Sequence, residues 1–321
     1  MYFTNKNNFF HGIMFHHFHD EYNHPKSQGS ISKEDLISII NFIGRKNILN
    51  HDEFLYRFEN DKLNDNHVCF TFDDGIKAQI DVALPILNEF KINSFFFVQS
   101  SIFDDGPDKI EIYRYFRCNS FESIDQFYDE FFLNCNNSYK NFLDTQHLRL
   151  NEYKNKFQSY SSNDIKFRII RDLFLSAKEY DDIMNYMMNK KKFDVNKIKK
   201  NLVFSKENIK LLLNNNHAVG LHSHSHPMLL EKLSYEDQYD EYSKNLSILN
   251  DLVSSSFSKI NSMSHPCGSY NENTKKILEN LNIQIGFKQI MTPDKGMMKI
   301  NNSKFEIARE DHSNIMRAII K

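Results

Sequence analysis

The chain has 321 residues, and its 40 basic and 42 acidic side chains leave a formal net charge of −2. This balance disfavours nucleic acid or an anionic membrane surface as a partner. No run of about 18 apolar residues occurs, so we expect neither a signal peptide nor a transmembrane segment. The 4 cysteines are scattered without a Cys-x-x-Cys pair, a usage typical of a reduced protein, and we expect a cytoplasmic location.

The first hundred residues alternate between predicted strands and helices. An apolar run at 12–19 predicts a buried strand that ends in a histidine cluster. Helical spacing follows at 30–45, with Ser32 as a plausible N-cap, and again at 51–58. A strand, an amphipathic helix and a second strand are then predicted at 67–73, 77–90 and 94–98. This strand–helix–strand order predicts a parallel sheet or barrel.

The pattern changes between residues 107 and 200, where the sequence is rich in Phe, Tyr, Asn and Lys and has helical spacing. No clear strand is visible in this stretch, and we interpret it as a helical insertion. The alternative is a set of further barrel helices, but strands should then alternate with them.

The alternation of helices and strands resumes near residue 205. Helices are predicted at 205–215, 235–253 and 273–281, and strands at 217–221, 260–264, 284–287 and 304–308. No internal repeat is present, and no low-complexity linker separates two domains.

Polar residues collect directly after these predicted strands. Asp73, Asp74 and Gly75 follow one strand, and a histidine-rich stretch at 222–226 follows another. Taken alone, Asp-Asp-Gly also fits a simple turn. In a parallel barrel, however, the carboxyl ends of all strands meet on one face, where active sites are assembled. The co-location therefore predicts a functional site on that face.

The stretch 222–226 offers two imidazoles, from His222 and His226, at a spacing of one helical turn. His224 should then point away from the ligand face. A carboxylate from the Asp-Asp pair would complete a set of two histidines and one aspartate. Three protein ligands with open positions are the arrangement expected of a catalytic metal site, and they leave the second carboxylate free to act as a base.

Thr71-Phe72-Asp73-Asp74-Gly75 and His222-Ser223-x-Ser225-His226-Pro227 resemble the first two motifs of the polysaccharide deacetylase family, the family 4 carbohydrate esterases. The resemblance implies an α/β fold, a distorted (β/α)7-type barrel over 1–105 and 200–321, with the helical insertion at 106–199. It implies a divalent metal, commonly zinc, held by Asp74, His222 and His226, with Asp73 as the catalytic base. His265-Pro266-Cys267-Gly268 resembles the third motif, which makes the Cys267 amide the matching oxyanion donor.

Two departures from the family pattern affect the predicted catalytic residues. The place of an arginine that orients the base holds Ser264 here, and Arg309 is our candidate to hold Asp73 instead. The family's last motif, Leu-x-His, is absent in that form. We predict His312 as the general acid in its place, with His265 as second choice, although His312 also fits an exposed residue at a helix start. His16 and His17 are expected to pack or hydrogen-bond beneath the site and not to bind metal.

The resemblance implies a metal-dependent deacetylase that removes an N-acetyl or other small N-acyl group from a sugar or oligosaccharide. Deformylation and ester cleavage use the same chemistry. We expect a nucleotide- or lipid-linked intermediate of surface-polysaccharide biosynthesis as the substrate. The insertion is expected to cap the barrel mouth, or else to be a structural or dimerising appendage. The alternative function is a catalytically degenerate glycan-binding or scaffolding protein on the same barrel.

Overall fold

The computed structural model describes residues 11–104, 106–156, 160–254, 259–291 and 301–320. The chain divides into two compact units, one made of Met1–Pro107 with Lys199–Lys321 and the other of Asp108–Ile198. These boundaries differ by one or two residues from the sequence-based ones, and residue 105, one of the predicted boundaries, lies outside the described ranges.

Seven short parallel strands form the sheet of the first unit. They are β1 (His11–Phe15), β2 (Val68–Phe72), β3 (Phe95–Val98), β4 (Ala218–Leu221), β5 (Ser262–Ser264), β6 (Ile285–Phe287) and β7 (Arg309–Asp311). Their order in the sheet is β6-β5-β4-β3-β2-β1-β7, and every pairing is parallel. With helices around it, this sheet confirms the predicted (β/α)7-type barrel.

The sheet is nearly closed between its two edge strands. Ile307 forms a parallel bridge with Phe287 of β6, and its N–H donates to the Gly286 carbonyl at 3.0 Å. The prediction of a strand at 304–308 is therefore wrong, because that stretch forms only this bridge while β1 pairs with Arg309–Asp311. The last strand thus begins later than predicted. As a result, Arg309 lies on this strand and not in the loop after it.

The helices are α1 (Lys33–Ile43), α2 (His51–Glu59), α3 (Leu84–Glu89), α4 (Lys109–Asn119), α5 (Ile124–Asn134), α6 (Ser138–Asp144), α7 (His147–Lys156), α8 (Ser162–Ile169), α9 (Ala177–Lys190), α10 (Val195–Leu202), α11 (Lys206–Asn214), α12 (Tyr235–Val253), α13 (Glu272–Asn280) and α14 (His312–Ile320). Ser32 caps α1 in a capping box with Asp35, as its sequence predicts. Among the described residues, no helix is both long and apolar enough to cross a membrane.

Successive side chains along each strand point alternately into the barrel interior and outward to the helices. A buried cluster joins alternate residues of several strands and fills the interior, and its members include Cys69, Phe95, Phe97, Ile285, Phe287 and Ile307. The residues between them pack outward, as Phe72 does against Phe15 and Phe96 at ring distances of 5.0 and 4.6 Å. Because the same alternation continues to the strand ends, it also sets which polar side chains face the site.

Within its described residues, the secondary-structure elements of the second unit are all helices joined by turns. Its core is aromatic, with Phe167 packed edge to face against Phe127 and Phe131 at centroid distances of 5.5 and 4.9 Å. Ser176 begins α9 with a second capping box. The role of this unit stays a prediction.

Candidate active site

β2 ends in a sharp turn that sends two adjacent carboxylates in different directions. Asp73 continues the alternation of Thr71 and points to the interior side, where both are buried. Asp74 and Gly75 follow in the left-handed conformation, with φ of 74° and 67°. Asp tolerates this conformation better than most residues, whereas a Cβ on Gly75 would lie 3.0 Å from Cδ1 of Ile102. The Asp-Asp-Gly sequence thus makes a turn and also places two acids at one site.

Arg309 of β7 holds the Asp73 carboxylate from both oxygens. Its Nη1 and Nη2 donate to Oδ1 and Oδ2 of Asp73 at 2.7 Å each. The Ser264 hydroxyl donates to Oδ2 at 3.1 Å and accepts from Nη2 of Arg309 at 3.0 Å. Burial alone would raise the pKa of Asp73, but Arg309 and then His222 outweigh burial and lower this pKa below its usual value. The structure therefore places Arg309 where the missing arginine of the third motif would act.

Gly12 of β1 leaves the space that the Arg309 side chain occupies. A Cβ built on Gly12 would lie 3.0 Å from Cγ and 3.3 Å from Cδ of Arg309. Gly12 pairs directly with Arg309 in the sheet, so the two positions are locked together by register. A side chain at position 12 would therefore require the stem of Arg309 to shift by a few tenths of an ångström.

We expect Arg309→Met to lower the free energy of unfolding by about 3–5 kcal/mol, because it leaves the buried Asp73 carboxylate without its main counter-charge. Urea denaturation measures this change. The matched control is Lys304→Met, which removes an exposed partner of Glu279 and should cost less than about 1 kcal/mol. An Arg309→Met protein as stable as the control would show that Asp73 is not held as an ion.

Asp74, His222 and His226 form the one group of potential metal ligands found among the described residues. Their ligand atoms all lie within 4.8 Å of one another. Oδ1 of Asp74 is 3.1 Å from Nε2 of His222 and 3.4 Å from Nε2 of His226. The sequence predicts these three residues together, and the structure brings them together.

The surroundings of His222 fit a metal ligand. Its Nδ1–H donates to the Ser264 carbonyl oxygen at 2.9 Å, which directs Nε2 towards Asp74. An imidazole that donates through one nitrogen and presents the other is the usual polarity of a metal-bound histidine. Burial alone would raise the pKa of Asp74, but the hydrogen bond from His222 and the charges of His16 and His226 hold it well below its usual value. The donor set therefore suits a divalent cation.

The loop that carries the two histidines is not helical, contrary to the one-turn spacing used in its prediction. Ser223 and His226 adopt left-handed conformations, with φ of 59° and 55°, and the Ser223 hydroxyl accepts from the His226 N–H at 3.1 Å. His224 points elsewhere, as expected, and its Nδ1 lies 2.9 Å from the Ser100 hydroxyl. A folded loop, and not helix periodicity, brings His222 and His226 together.

Two side chains of α12 hold this loop in place. Glu241 accepts from the N–H groups of His224 and Ser225 at 2.9 and 2.8 Å and from the Ser225 hydroxyl at 2.6 Å. Asn245 is fully buried, accepts from the His222 N–H at 3.0 Å and donates to the Val98 carbonyl at 3.0 Å. Asn245 thus holds the backbone of one candidate metal ligand, and Glu241 holds the backbone between the two histidine ligands.

We expect Glu241→Ala to weaken metal affinity by about 10–100-fold, the usual effect of losing a residue that orients ligands. A metal titration against a competing chelator measures this affinity. Glu236→Ala, in the first turn of the same helix, is the control and should bind metal like the parent protein. Equal affinities in the two variants would contradict a positioning role for Glu241.

His16 lies at the site, which corrects the expectation that it packs beneath it. Its Nε2 is 3.9 Å from Oδ2 of Asp73 and 3.9 Å from Oδ2 of Asp74, and its side chain is 26% exposed. β1 ends at Phe15, opposite Phe72 in the register, so His16 begins the loop beside the Asp-Asp turn. His17 stacks on it at 6.3 Å.

The structure does not bring His312, the predicted general acid, to the carboxylates. Its Nδ1 and Nε2 lie 3.2 and 3.1 Å from the carbonyl oxygens of Met14 and Gly29, and its ring stacks on Phe15. With both nitrogens facing carbonyl oxygens, this buried residue at the start of α14 has no nitrogen available for a leaving group. The prediction for His312 is corrected accordingly.

His265, the second choice, is also unsuited to donate a proton. It is buried, its Nε2–H donates to the Phe305 carbonyl at 2.8 Å, and its ring stacks on Tyr270. Burial lowers the pKa of His265 to about 3, so it is neutral at physiological pH. Cys267 lies in the single turn Pro266–Gly268 after β5, with an exposed side chain and a φ of 52°. The oxyanion role of its amide stays a prediction.

Sequence reasoning missed the roles of three residues. His16 lies in the site itself, and Glu241 and Asn245 hold the loop that carries the two histidines. Asn245 gave a usable signal, because a buried polar residue stands among apolar ones on one face of α12. His16 gave only its place in a histidine cluster. Glu241 gave none, since it is one of several acidic residues along a mostly polar helix.

The fold is a parallel barrel, and a buried, ionised carboxylate lies beside an Asp/His/His set at its strand ends. This arrangement is typical of hydrolases. The sequence model of the polysaccharide deacetylase family matches residues 60–116 and 179–286, just over half of the chain. The chain belongs to the polysaccharide deacetylase family. This membership supports a deacetylase as its coarse function. No match was found among curated proteins.

Solved structures share the fold over nearly the whole chain. A Streptococcus pyogenes deacetylase, PplD, in complex with acetate is 14% identical, with a TM-score of 0.54 and 97% of each chain covered. IcaB from Ammonifex degensii is 12% identical, with a TM-score of 0.55 and 97% of each chain covered. A de-N-acetylase from Aggregatibacter actinomycetemcomitans is 12% identical, with a TM-score of 0.53, and 97% of this chain and 99% of that one are covered.

Proposed function

We propose that this protein is a metal-dependent deacetylase that removes an N-acetyl group from a sugar or glycan intermediate of surface-polysaccharide biosynthesis. The observation that carries the proposal is the Asp74–His222–His226 set directly beside an Asp73 carboxylate clamped by Arg309. Family membership supports the deacetylase chemistry, and one of the proteins that share the fold is a de-N-acetylase. Zinc is the metal that the family resemblance implies.

Asp74, His222 and His226 would hold the metal. When bound, a divalent cation polarises an amide carbonyl and makes a water molecule more acidic. Asp73, kept ionised and oriented by Arg309, accepts the proton of the attacking water. The Cys267 amide is proposed to donate to the oxyanion. His16, whose Nε2 lies 3.9 Å from Asp73, is the imidazole placed to protonate the leaving amine.

We expect His16→Gln to lower kcat for an N-acetylated sugar by about 10²–10⁴-fold, the usual contribution of a general acid. An aryl acetate, whose phenolate leaves without protonation, should lose far less. Parallel assays of acetate release from the two substrates measure the difference. His312→Gln is the control and should leave the ratio of the two rates unchanged, whatever it does to folding. An equal loss on both substrates in His16→Gln would rule out proton donation by His16.

The proposed function is tested by metal analysis of the purified protein and by acetate release from a panel of N-acetylated sugars. The panel should contain free oligosaccharides, nucleotide-linked sugars and lipid-linked sugars, so that a free substrate is distinguished from a linked one. Chelation should stop acetate release, and added zinc should restore it. A protein that binds these sugars without metal and without turnover would support the degenerate glycan-binding alternative. Removal of formate or an ester acyl group would correct only the acyl specificity.

A further inference from the structure

A buried glutamine connects the loop that carries His16 to the turn that carries Asp73. Gln79 is fully buried, and its amide nitrogen, Nε2, donates to two backbone carbonyl oxygens. One carbonyl belongs to Asp73, at 2.6 Å, and the other to His16, at 2.9 Å. Because a side-chain amide has two N–H hydrogens, both of its donors are used at this one place. A single side chain therefore holds the two carbonyls next to each other.

This bridge begins where the pairing of β1 and β2 ends. The Asp73 N–H donates to the Phe15 carbonyl at 3.1 Å, one position past the last register pair. Beyond that bond the two chains separate, since Asp74 turns into the left-handed conformation and His16 begins a loop. The Gln79 amide thus continues, through a side chain, the connection that the backbone no longer makes. It fixes the spacing between the His16 and Asp73 backbones.

Gln79 is placed at this bridge by an unusual turn of helix. It begins the π-helical turn Gln79–Ala83, in which the Leu84 N–H donates to the Gln79 carbonyl five residues earlier. Turns of this kind are rare and occur frequently at functional sites. The Oε1 of Gln79 is buried and has no hydrogen-bond partner within the described part of the chain. An unsatisfied buried acceptor opposes folding, so part of the stability gained by the two hydrogen bonds is lost again.

The His16 imidazole depends on this spacing for its place at the carboxylates. Its Nε2 lies 3.9 Å from an oxygen of Asp73 and 3.9 Å from an oxygen of Asp74. The chain after His16 is held separately, since the His17 carbonyl accepts from the Ile31 N–H at 3.2 Å. A misplacement of about 1 Å at a reacting group can cost about 10²-fold in rate. A shift of the His16 backbone would therefore be felt in any proton transfer by its side chain.

We propose that Gln79 is a positioning residue that holds the His16 imidazole at the distance from Asp73 that proton donation requires. The inference rests on the proposed function, because it assigns Gln79 to the step in which His16 protonates the leaving amine. The same bridge also touches the base, through the Asp73 carbonyl. Two substrates distinguish these effects, since both need the base but only an N-acetylated sugar needs the acid.

Gln79→Met tests the proposal, because methionine has nearly the same length and no N–H donor. We expect kcat for an N-acetylated sugar to fall by about 10–10²-fold, whereas metal content and the rate on an aryl acetate should stay within a few-fold of the parent values. The same substitution in a His16→Gln background should cost little more, because a positioning residue has no effect once the group it positions is gone. Acetate release from the two substrates measures these rates.

The matched control is Gln238→Met on α12. Gln238 is equally buried, donates to the Leu233 carbonyl at 3.1 Å and accepts from the Thr274 hydroxyl at 2.6 Å, and neither partner belongs to the candidate site. Its loss should lower the melting temperature, as Gln79→Met does, yet leave the ratio of the two rates unchanged. An equal loss on both substrates in Gln79→Met, or a full additional loss in the His16→Gln background, would overturn the proposal.

Crystal structures of the parent protein and of Gln79→Met separate this inference from the proposed function. A parent protein that releases acetate from neither substrate contradicts the proposed function. The positioning role is then decided by the distance between the His16 and Asp73 carbonyl oxygens, which should increase in Gln79→Met. An unchanged distance would overturn the positioning role whether or not the parent protein is active.

Discussion

Replacing Asp73 with Asn is expected to reduce kcat/KM for deacetylation by about 10²–10⁴-fold while metal stays bound. Asn has nearly the same shape but cannot accept a proton from water, and the three candidate ligands are untouched. Acetate release and metal content measured on the same preparation separate the two effects. Asp73→Asn also leaves Arg309 without its carboxylate, so a lower stability should accompany the lost activity.

The control for this substitution is Asp81→Asn, in the turn of helix before α3. Asp81 pairs with His24 and Lys77 at 2.8 and 2.5 Å, and neither partner belongs to the Asp74 cluster. Its loss should change stability modestly and leave kcat within a few-fold of the parent value. If Asp73→Asn were as active as Asp81→Asn, the base would have to be another residue.

His222→Ala is expected to lose both metal and activity. It removes one of three ligands and also the imidazole that Ser264 orients. Because losing an orienting neighbour alone costs about 10–100-fold in metal affinity, losing the ligand itself should cost more than about 10²-fold. Metal content after dialysis, chelator competition and acetate release measure the outcome. Whereas Asp73→Asn should be inactive with its metal bound, His222→Ala should be inactive because it holds no metal.

His224→Ala provides the matched control within the same loop. His224 lies two residues from His222 but faces Ser100, so its loss should leave the metal bound. A His224→Ala protein that loses metal as completely as His222→Ala would mean that loop folding, and not ligation, controls occupancy. Together, Asp73→Asn, His222→Ala and His224→Ala distinguish loss of the base, loss of a metal ligand and loss of the loop structure.

Much of the fold was predictable because the spacing of apolar residues along the sequence indicates which face of a helix or strand is buried. The pattern of Tyr235–Val253 predicted α12 with its observed bounds, and Ser32 predicted the start of α1. Apolar runs predicted six of the strands to within a few residues, but they placed the last strand too early. The sequence of Lys304–Ala308 alternates between polar and apolar residues like a strand, but Glu306 and Ala308 are buried as well as Phe305 and Ile307. Its position before β7 depends on pairing with β1 at the other end of the chain.

The sequence by itself determined which functional groups the site contains: two acids and a glycine after one strand, and two histidines after another. It also predicted the barrel that brings these groups together. Only the tertiary structure decided which other side chains reach that site. It placed Arg309 on Asp73, brought His16 to the mouth and turned His312 towards backbone carbonyls. The physical reason is that these contacts depend on strand register between residues up to about three hundred positions apart, which no local pattern encodes.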